Sequence, residues 1–157
     1  MSVNWYLGCD PGANGGLALI DHEGQVDAVK TPADPLELWR WIHSKRSNAG
    51  HHFTMAALEK VGGHIQGRDQ PGSAMFNFGK SYGILVGMLV AAGISREDVT
   101  PQAWQKSLGL KRSDHPDEKW KNVLKAEAQR LFPRVKVTLA TADCLLLAEY
   151  ARRKYGT

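Results

Sequence analysis

The stretch Val3-Asn4-Trp5-Tyr6-Leu7-Gly8-Cys9-Asp10-Pro11-Gly12-Ala13-Asn14-Gly15-Gly16-Leu17-Ala18-Leu19-Ile20-Asp21 decides the fold class. Val3 to Asp10 reads as a short strand and Gly15 to Asp21 as a second, with Pro11-Gly12-Ala13-Asn14 as the turn between them. Alternation along the first strand sets Tyr6, Gly8 and Asp10 on one face and Leu7 and Cys9 on the other. Asp10 therefore emerges at the lip of a sheet, beside a tight turn. A polar turn, Asp21-His22-Glu23-Gly24, leads into a third strand, Gln25 to Lys30, and completes an antiparallel meander.

Working outward, Asp34 is placed to cap a helix that Pro35 opens, with Leu36, Leu38, Trp39 and Ile42 at near-helical spacing and Ser47-Asn48-Ala49-Gly50 as its end. Phe53 to Glu59 follows as a mainly apolar strand, which the intervening helix allows to return parallel to the first by a crossover. Val61 to Ser73 is rich in glycine and polar residues and reads as a mobile loop, of the kind that often touches substrate.

Ser73 to Ala92 reads as a long, mostly buried helix stopped by Gly93. Within it Gly79, Gly83 and Gly87 leave one face bare. Glycine costs about 1 kcal/mol in a helix interior, so close approach by the sheet, a second subunit or substrate is implied, with packing on the sheet the plainest of the three. A short strand from Asp98 to Thr100 precedes a helix that Thr100 caps and Pro101 opens. Helices over Pro116 to Leu131 and Ala142 to Lys154, the latter with Thr141 as its cap, complete an α/β mixed sheet in a single domain spanning 1–157.

The composition, 43% hydrophobic and 23% charged with no repeat, excludes a disordered or low-complexity chain. The net charge is +4, with Lys106, Lys111, Arg112, Lys119, Lys121, Lys125 and Arg130 crowding one stretch and Arg152 to Lys154 the end. A polyanionic partner fits this excess, as do solvated helix faces. Cys9 and Cys144 are too few and too far apart for a disulfide framework or a zinc site. Met1-Ser2-Val3-Asn4 lacks the pattern of a secretion signal, and the uncharged run Ser81 to Ser95 is shorter than the roughly 18 residues a span needs. A soluble, intracellular protein with no membrane partner is expected.

Three acids stand out. Asp10 closes the first strand, although Asp before Pro-Gly is also a good turn former. Glu59 closes the parallel strand, where an unpaired carboxylate is costly to bury and wants a basic partner or a cation; if the two strands are neighbours, the two acids sit side by side. Asp143 falls in the first turn of an apolar helix, where the macrodipole also favours an acid. Oxygen-only ligands select hard cations such as magnesium or manganese, and two such ions about 3.5–4 Å apart can hydrolyse a phosphodiester.

The chain resembles RuvC-type Holliday-junction resolvases, in particular the compact branch associated with phages and related to chloroplast resolvases. The likeness lies in ordered blocks running nearly end to end: Gly8-Cys9-Asp10-Pro11-Gly12, Leu58-Glu59-Lys60-Val61, Met75 to Gly83, Val99-Thr100-Pro101-Gln102-Ala103-Trp104, Leu131-Phe132-Pro133 and Ala142 to Tyr150. The resemblance implies a ribonuclease H-like fold and a homodimer with Asp10, Glu59 and Asp143 as catalytic metal ligands. It also implies magnesium-dependent nicking of opposed strands at a four-way DNA junction, in a bacterial or phage-infected cytoplasm or an organelle matrix.

One departure matters. The family usually supplies a fourth acidic or histidine ligand three or four residues before the position of Asp143, where this chain has Ala140 and Leu139. A water, Thr138, Thr141 or a residue from elsewhere in the chain are the substitutes at hand.

For DNA contacts the resemblance points to the loop after the second acid, with His64, Gln66, Arg68 and Gln70, and to Lys80, Lys106, Lys111 and Arg112. Phe76 and Phe78 read either as wedges between unstacked bases or as core. Trp39, Trp41, Trp104 and Trp120 read as packing residues. Two rival functions remain open: a junction-binding protein without cleavage, and a fragment of a sugar-kinase or actin-like ATPase, whose phosphate loop also has Asp-Pro-Gly before a hairpin but which needs two such domains.

Overall fold

The computed structural model describes residues 3–46, 51–60 and 72–156. The meander is formed by β1 (Val3–Cys9), β2 (Gly16–Asp21) and β3 (Val26–Lys30). There follow α1 (Pro35–Arg46), β4 (His51–Glu59), α2 (Gly72–Ala91), β5 (Arg96–Val99), α3 (Pro101–Ser107), α4 (Trp120–Leu131) and α5 (Ala142–Tyr155). The sheet order is β3-β2-β1-β4-β5, antiparallel across the meander and parallel from β1 through β4 to β5. The crossover expected from the helix between the first and fourth strands is thus present.

Alternation divides the core into two layers. Tyr6, Ala18, Ile20 and Ala57 face α5, with Trp104, Leu124 and Phe132 beyond it. Leu7, Cys9, Leu17, Leu19, Ala56 and Leu58 face the other way, under Leu38 and Ile42 of α1 and Leu85 and Leu89 of α2.

The seating of α5 follows from side-chain size. Gly8 is in register with Ala18 on one side and Ala57 on the other, so three strands present a row of minimal side chains. Over this trough the helix backbone meets the strand backbone: a Cβ at Gly8 would lie 2.0 Å from the Cys144 carbonyl oxygen and 2.4 Å from the Ala148 nitrogen. A Cβ at Gly16 would lie 2.8 Å from the Ala140 oxygen. Every residue from Cys144 to Ala151 is consequently buried, Glu149 among them at 3% exposure, with Arg152 and Arg153 bonded to its carboxylate. At the far end Tyr150, Lys154 and Tyr155 all bind Glu97 of β5, which pins the helix across the parallel strands.

Several local signals act as written. The Asp34 carboxylate accepts from the Leu36 N–H at 2.9 Å, and Thr100 Oγ1 from the Ala103 N–H at 3.3 Å. Gly93 takes φ +67 and ends α2 with Ile94 N–H bonded to the Leu89 carbonyl and Gly93 N–H to that of Val90, the Schellman pattern.

Other expectations are corrected. α2 is not mostly buried: Phe76 is 70% and Val90 65% exposed, and only Leu85 and Leu89 are enclosed. A Cβ at Gly79, Gly83 or Gly87 would meet none of the described residues within 4 Å, so the glycine stripe faces away from the sheet instead of packing on it. By length and composition α2 would pass for a membrane span, with a mean hydropathy of 1.3, though Lys80 sits within it and its C-terminal half rests on the sheet. The short strand starts at Arg96, because β4 pairs with it from Ala56 onward. The fourth helix begins at Trp120, since Arg112 to Asp114 form a 3-10 turn and His115 accepts from the Glu118 N–H in a second turn. Thr141 stands at the start of α5 but bonds no N–H of that helix's first turn with its hydroxyl.

Candidate active site

The register Cys9↔Leu58 brings the residues that follow, Asp10 and Glu59, to the same carboxyl edge of adjacent parallel strands. Parity aims both at the face covered by α5, where Gly8 lets the first turn carrying Asp143 sit close to the strand ends. Beneath Asp10 the turn is held tightly: its N–H donates to the Gly16 carbonyl at 3.0 Å, and a Cβ at Gly15 would lie 2.0 Å from the Asp10 oxygen. Gly12, at φ +114, makes the reversal and lies beside the Phe78 ring of α2.

The three carboxyls share one electrostatic neighbourhood. Burial and the charges of Glu59 and Asp143 push the Asp10 carboxyl up to about 8. Glu59, 8% exposed, is raised by burial and by Asp143, against a hydrogen bond from Trp104. Asp143 is raised by burial. In each case the cation that opposes the rise is Lys121, in the first turn of α4.

Such a set is short of positive charge and consists of hard oxygen donors, which fits a divalent cation of the magnesium kind. Among the described residues, no three His, Cys, Asp or Glu side chains stand close enough together to enclose an ion as they are. The arrangement is therefore an edge of neighbouring carboxylates and not an enclosed ion cage.

Trp104 and Lys121 are the residues the sequence reading undervalued. The Trp104 indole N–H donates to Glu59 Oε2 at 2.8 Å, across 45 residues of sequence and out of sight of solvent. It packs, as expected, and also fixes the orientation of an acid. Replacing Trp104 by Phe should leave Glu59 without this donor, raise its pKa further and weaken magnesium binding by about tenfold, while costing about 1–3 kcal/mol of stability; calorimetric titration and thermal melts read the two effects separately.

At the expected fourth-ligand positions, Leu139 is exposed and Ala140 has no donor side chain. Thr138 and Thr141 are turned on each other: their hydroxyls lie 3.1 Å apart, and each accepts from the other's backbone N–H. Lys80, Lys106, Lys111 and Arg112 are all exposed, the first on α2 and the others on the opposite side of the sheet, around the end of α3. Arg68, with His64, Gln66 and Gln70, lies outside the described residues.

The sheet order, the parallel crossover and the helix laid across β1 define a ribonuclease H-like α/β fold of the RuvC type. Solved structures carry this likeness, two Thermus thermophilus structures among them. RuvC of Thermus thermophilus in complex with Holliday junction substrate matches over 98% of this chain and 96% of its own, with a TM-score of 0.60 at 14% sequence identity. A second Thermus thermophilus RuvC structure matches over 98% and 97%, with a TM-score of 0.53 at 16% identity. A scan of protein-family models and a search of curated proteins give no match. The fold class expected from the ordered motifs is the one observed.

Proposed function

We propose that the chain is a divalent-metal-dependent endonuclease that nicks four-way DNA junctions or related branched DNA by phosphodiester hydrolysis, and that it groups with the compact, phage-associated resolvases. What supports this reading is that Asp10, Glu59 and Asp143 are electrostatic neighbours at the carboxyl edge of a RuvC-type sheet, each raised by burial and opposed by Lys121.

Bound magnesium or manganese would lower the pKa of a water and neutralise charge on the departing oxygen. Asp10 and Glu59 would hold the cation from two strands and Asp143 from the helix start, with Trp104 keeping one Glu59 oxygen in place. Lys121, whose charge acts on all three acids, would offer a cation to the scissile phosphate. Purified protein with magnesium should nick a synthetic four-way junction; no nicking of any branched DNA at any divalent-metal concentration would overturn the proposal.

One observation favours a second reading, a branched-DNA-binding protein with little or no cleavage. The two threonines nearest the missing ligand are engaged with each other, so this chain supplies three acids where the family resemblance implies four ligands. Tight junction binding without metal-dependent nicking is its signature.

We further propose that the enzyme is a homodimer joined through α2, because its glycine stripe, Phe76 and Val90 are left uncovered by the described residues. Gly83→Glu should weaken the dimer by tenfold or more, read by sedimentation as a shift to the monomer, since a charge would be buried where backbones meet.

A further inference from the structure

Apart from the acids, the corner between α3 and the 3-10 turn Arg112–Asp114 holds an open cleft of about 450 Å³ of mixed polar and apolar lining, formed by Pro101, Gln102, Gln105, Leu110 and Arg112. Its chemistry is set by Trp120. The indole N–H of Trp120 donates to Gln105 Oε1 at 3.3 Å, so the Gln105 amide is left with its NH₂ group free to donate. The Arg112 guanidinium lies over the same indole, 5.5 Å from the ring centroid, and His115 stands against that ring at 6.2 Å. His115 is in turn held by Glu118 at 2.8 Å.

One tryptophan thus contacts both a guanidinium, which can only donate, and an amide whose oxygen it engages while the NH₂ group stays a donor. A nucleobase edge mixes donors and acceptors, whereas a phosphate oxygen is purely an acceptor and carries a charge that complements Arg112, which has no ion pair among the described residues. Lys106 and Lys111 flank the cavity in sequence and are exposed.

We propose that this corner is a built seat for one phosphate group, and that in the working protein the group is a backbone phosphate of a DNA arm lying away from the cut. The source of the phosphate rests on the junction-nuclease reading above; the seat itself does not. α3 links the two sites physically, since Trp104 touches Glu59 while Gln105, the next residue, lines the cavity. An arm held here would be fixed relative to the acids through one short helix.

Two measurements test it on the full-length protein. The first is titration with inorganic phosphate, followed by NMR of the Trp120 indole and Arg112 side-chain N–H groups. The second is junction binding in EDTA across a range of salt. Gln105→Glu is the decisive variant, because a carboxylate still accepts from Trp120 but cannot donate to phosphate; retention of the Trp120 indole signal shows that the corner is intact. Arg112→Gln removes the charge.

Wild type is expected to shift with phosphate and Gln105→Glu not to. Junction affinity should fall about tenfold in either variant, and the salt slope by about 1 in Arg112→Gln, while Arg40→Gln on α1 leaves both unchanged. Equal junction affinity and slope in wild type and both variants would overturn the proposal. If the protein binds no DNA, the junction reading fails and the phosphate titration alone decides the seat: no shift in wild type overturns it.

Discussion

Asp10→Asn is expected to abolish magnesium-dependent nicking of a four-way junction, by about 10³-fold or more, while metal-free junction binding is kept. The amide preserves shape and hydrogen bonding but removes the charge that draws the cation, and several kcal/mol of transition-state stabilisation depend on that cation. Unchanged cutting would remove Asp10 from the metal site. The same variant should make the metal-free protein more stable at neutral and alkaline pH. Burial and two neighbouring acids hold the Asp10 carboxyl near 8, above its ordinary value, so the folded state retains a proton that the unfolded chain has released. Stability contributed by the protonated form is therefore greatest in acid and lost as pH rises from about 4 to about 8. The melting-temperature gap between Asp10→Asn and wild type should widen over that window by at least about 2–4 °C, and excess magnesium should close it.

Gly8→Ala carries the largest expected loss of stability, about 3 kcal/mol or more, which lowers the melting temperature by about 10 °C. The added methyl would collide with the backbone of α5 at Cys144 and Ala148, not with a side chain that can turn aside. Relief requires lifting the helix off the trough formed with Ala18 and Ala57, which exposes part of the larger core layer and carries Asp143 away from Asp10. Circular dichroism melts read the stability. A Gly8→Ala protein melting within a degree or two of wild type would show that α5 does not rest on β1 in this way.

Much of the architecture was legible because short-range rules dominate it. The meander followed from alternation and turn chemistry around Pro11 to Asn14, and the ends of α1, α2 and α3 from Asp34, Gly93 and Thr100. The pairing of Asp10 with Glu59 needed one further assumption, that β4 runs beside β1, which the sheet order bears out. The reading failed where the decisive partner was distant or absent. Trp104 differed from an ordinary core tryptophan only through Glu59, and Lys121 from its basic neighbours only through the fold of α4 against α5. α2 read as buried because its composition is apolar, whereas the sheet covers only the side bearing Leu85 and Leu89.

The sequence by itself therefore determined the strand and helix inventory, the parity that points Tyr6, Gly8 and Asp10 to one face, and the acids available to bind a cation. These depend on periods of two and 3.6 residues and on local hydrogen bonds, all contained within a few positions of the chain. Only the tertiary structure decided that Gly8 admits α5 at backbone contact, that Asp143 thereby reaches the strand ends, that Lys121 is the cation facing all three acids, and that the glycine stripe of α2 is left open. Each of these is a contact between segments far apart in sequence, fixed by the volume of side chains on both partners at once, and no window of the sequence contains both.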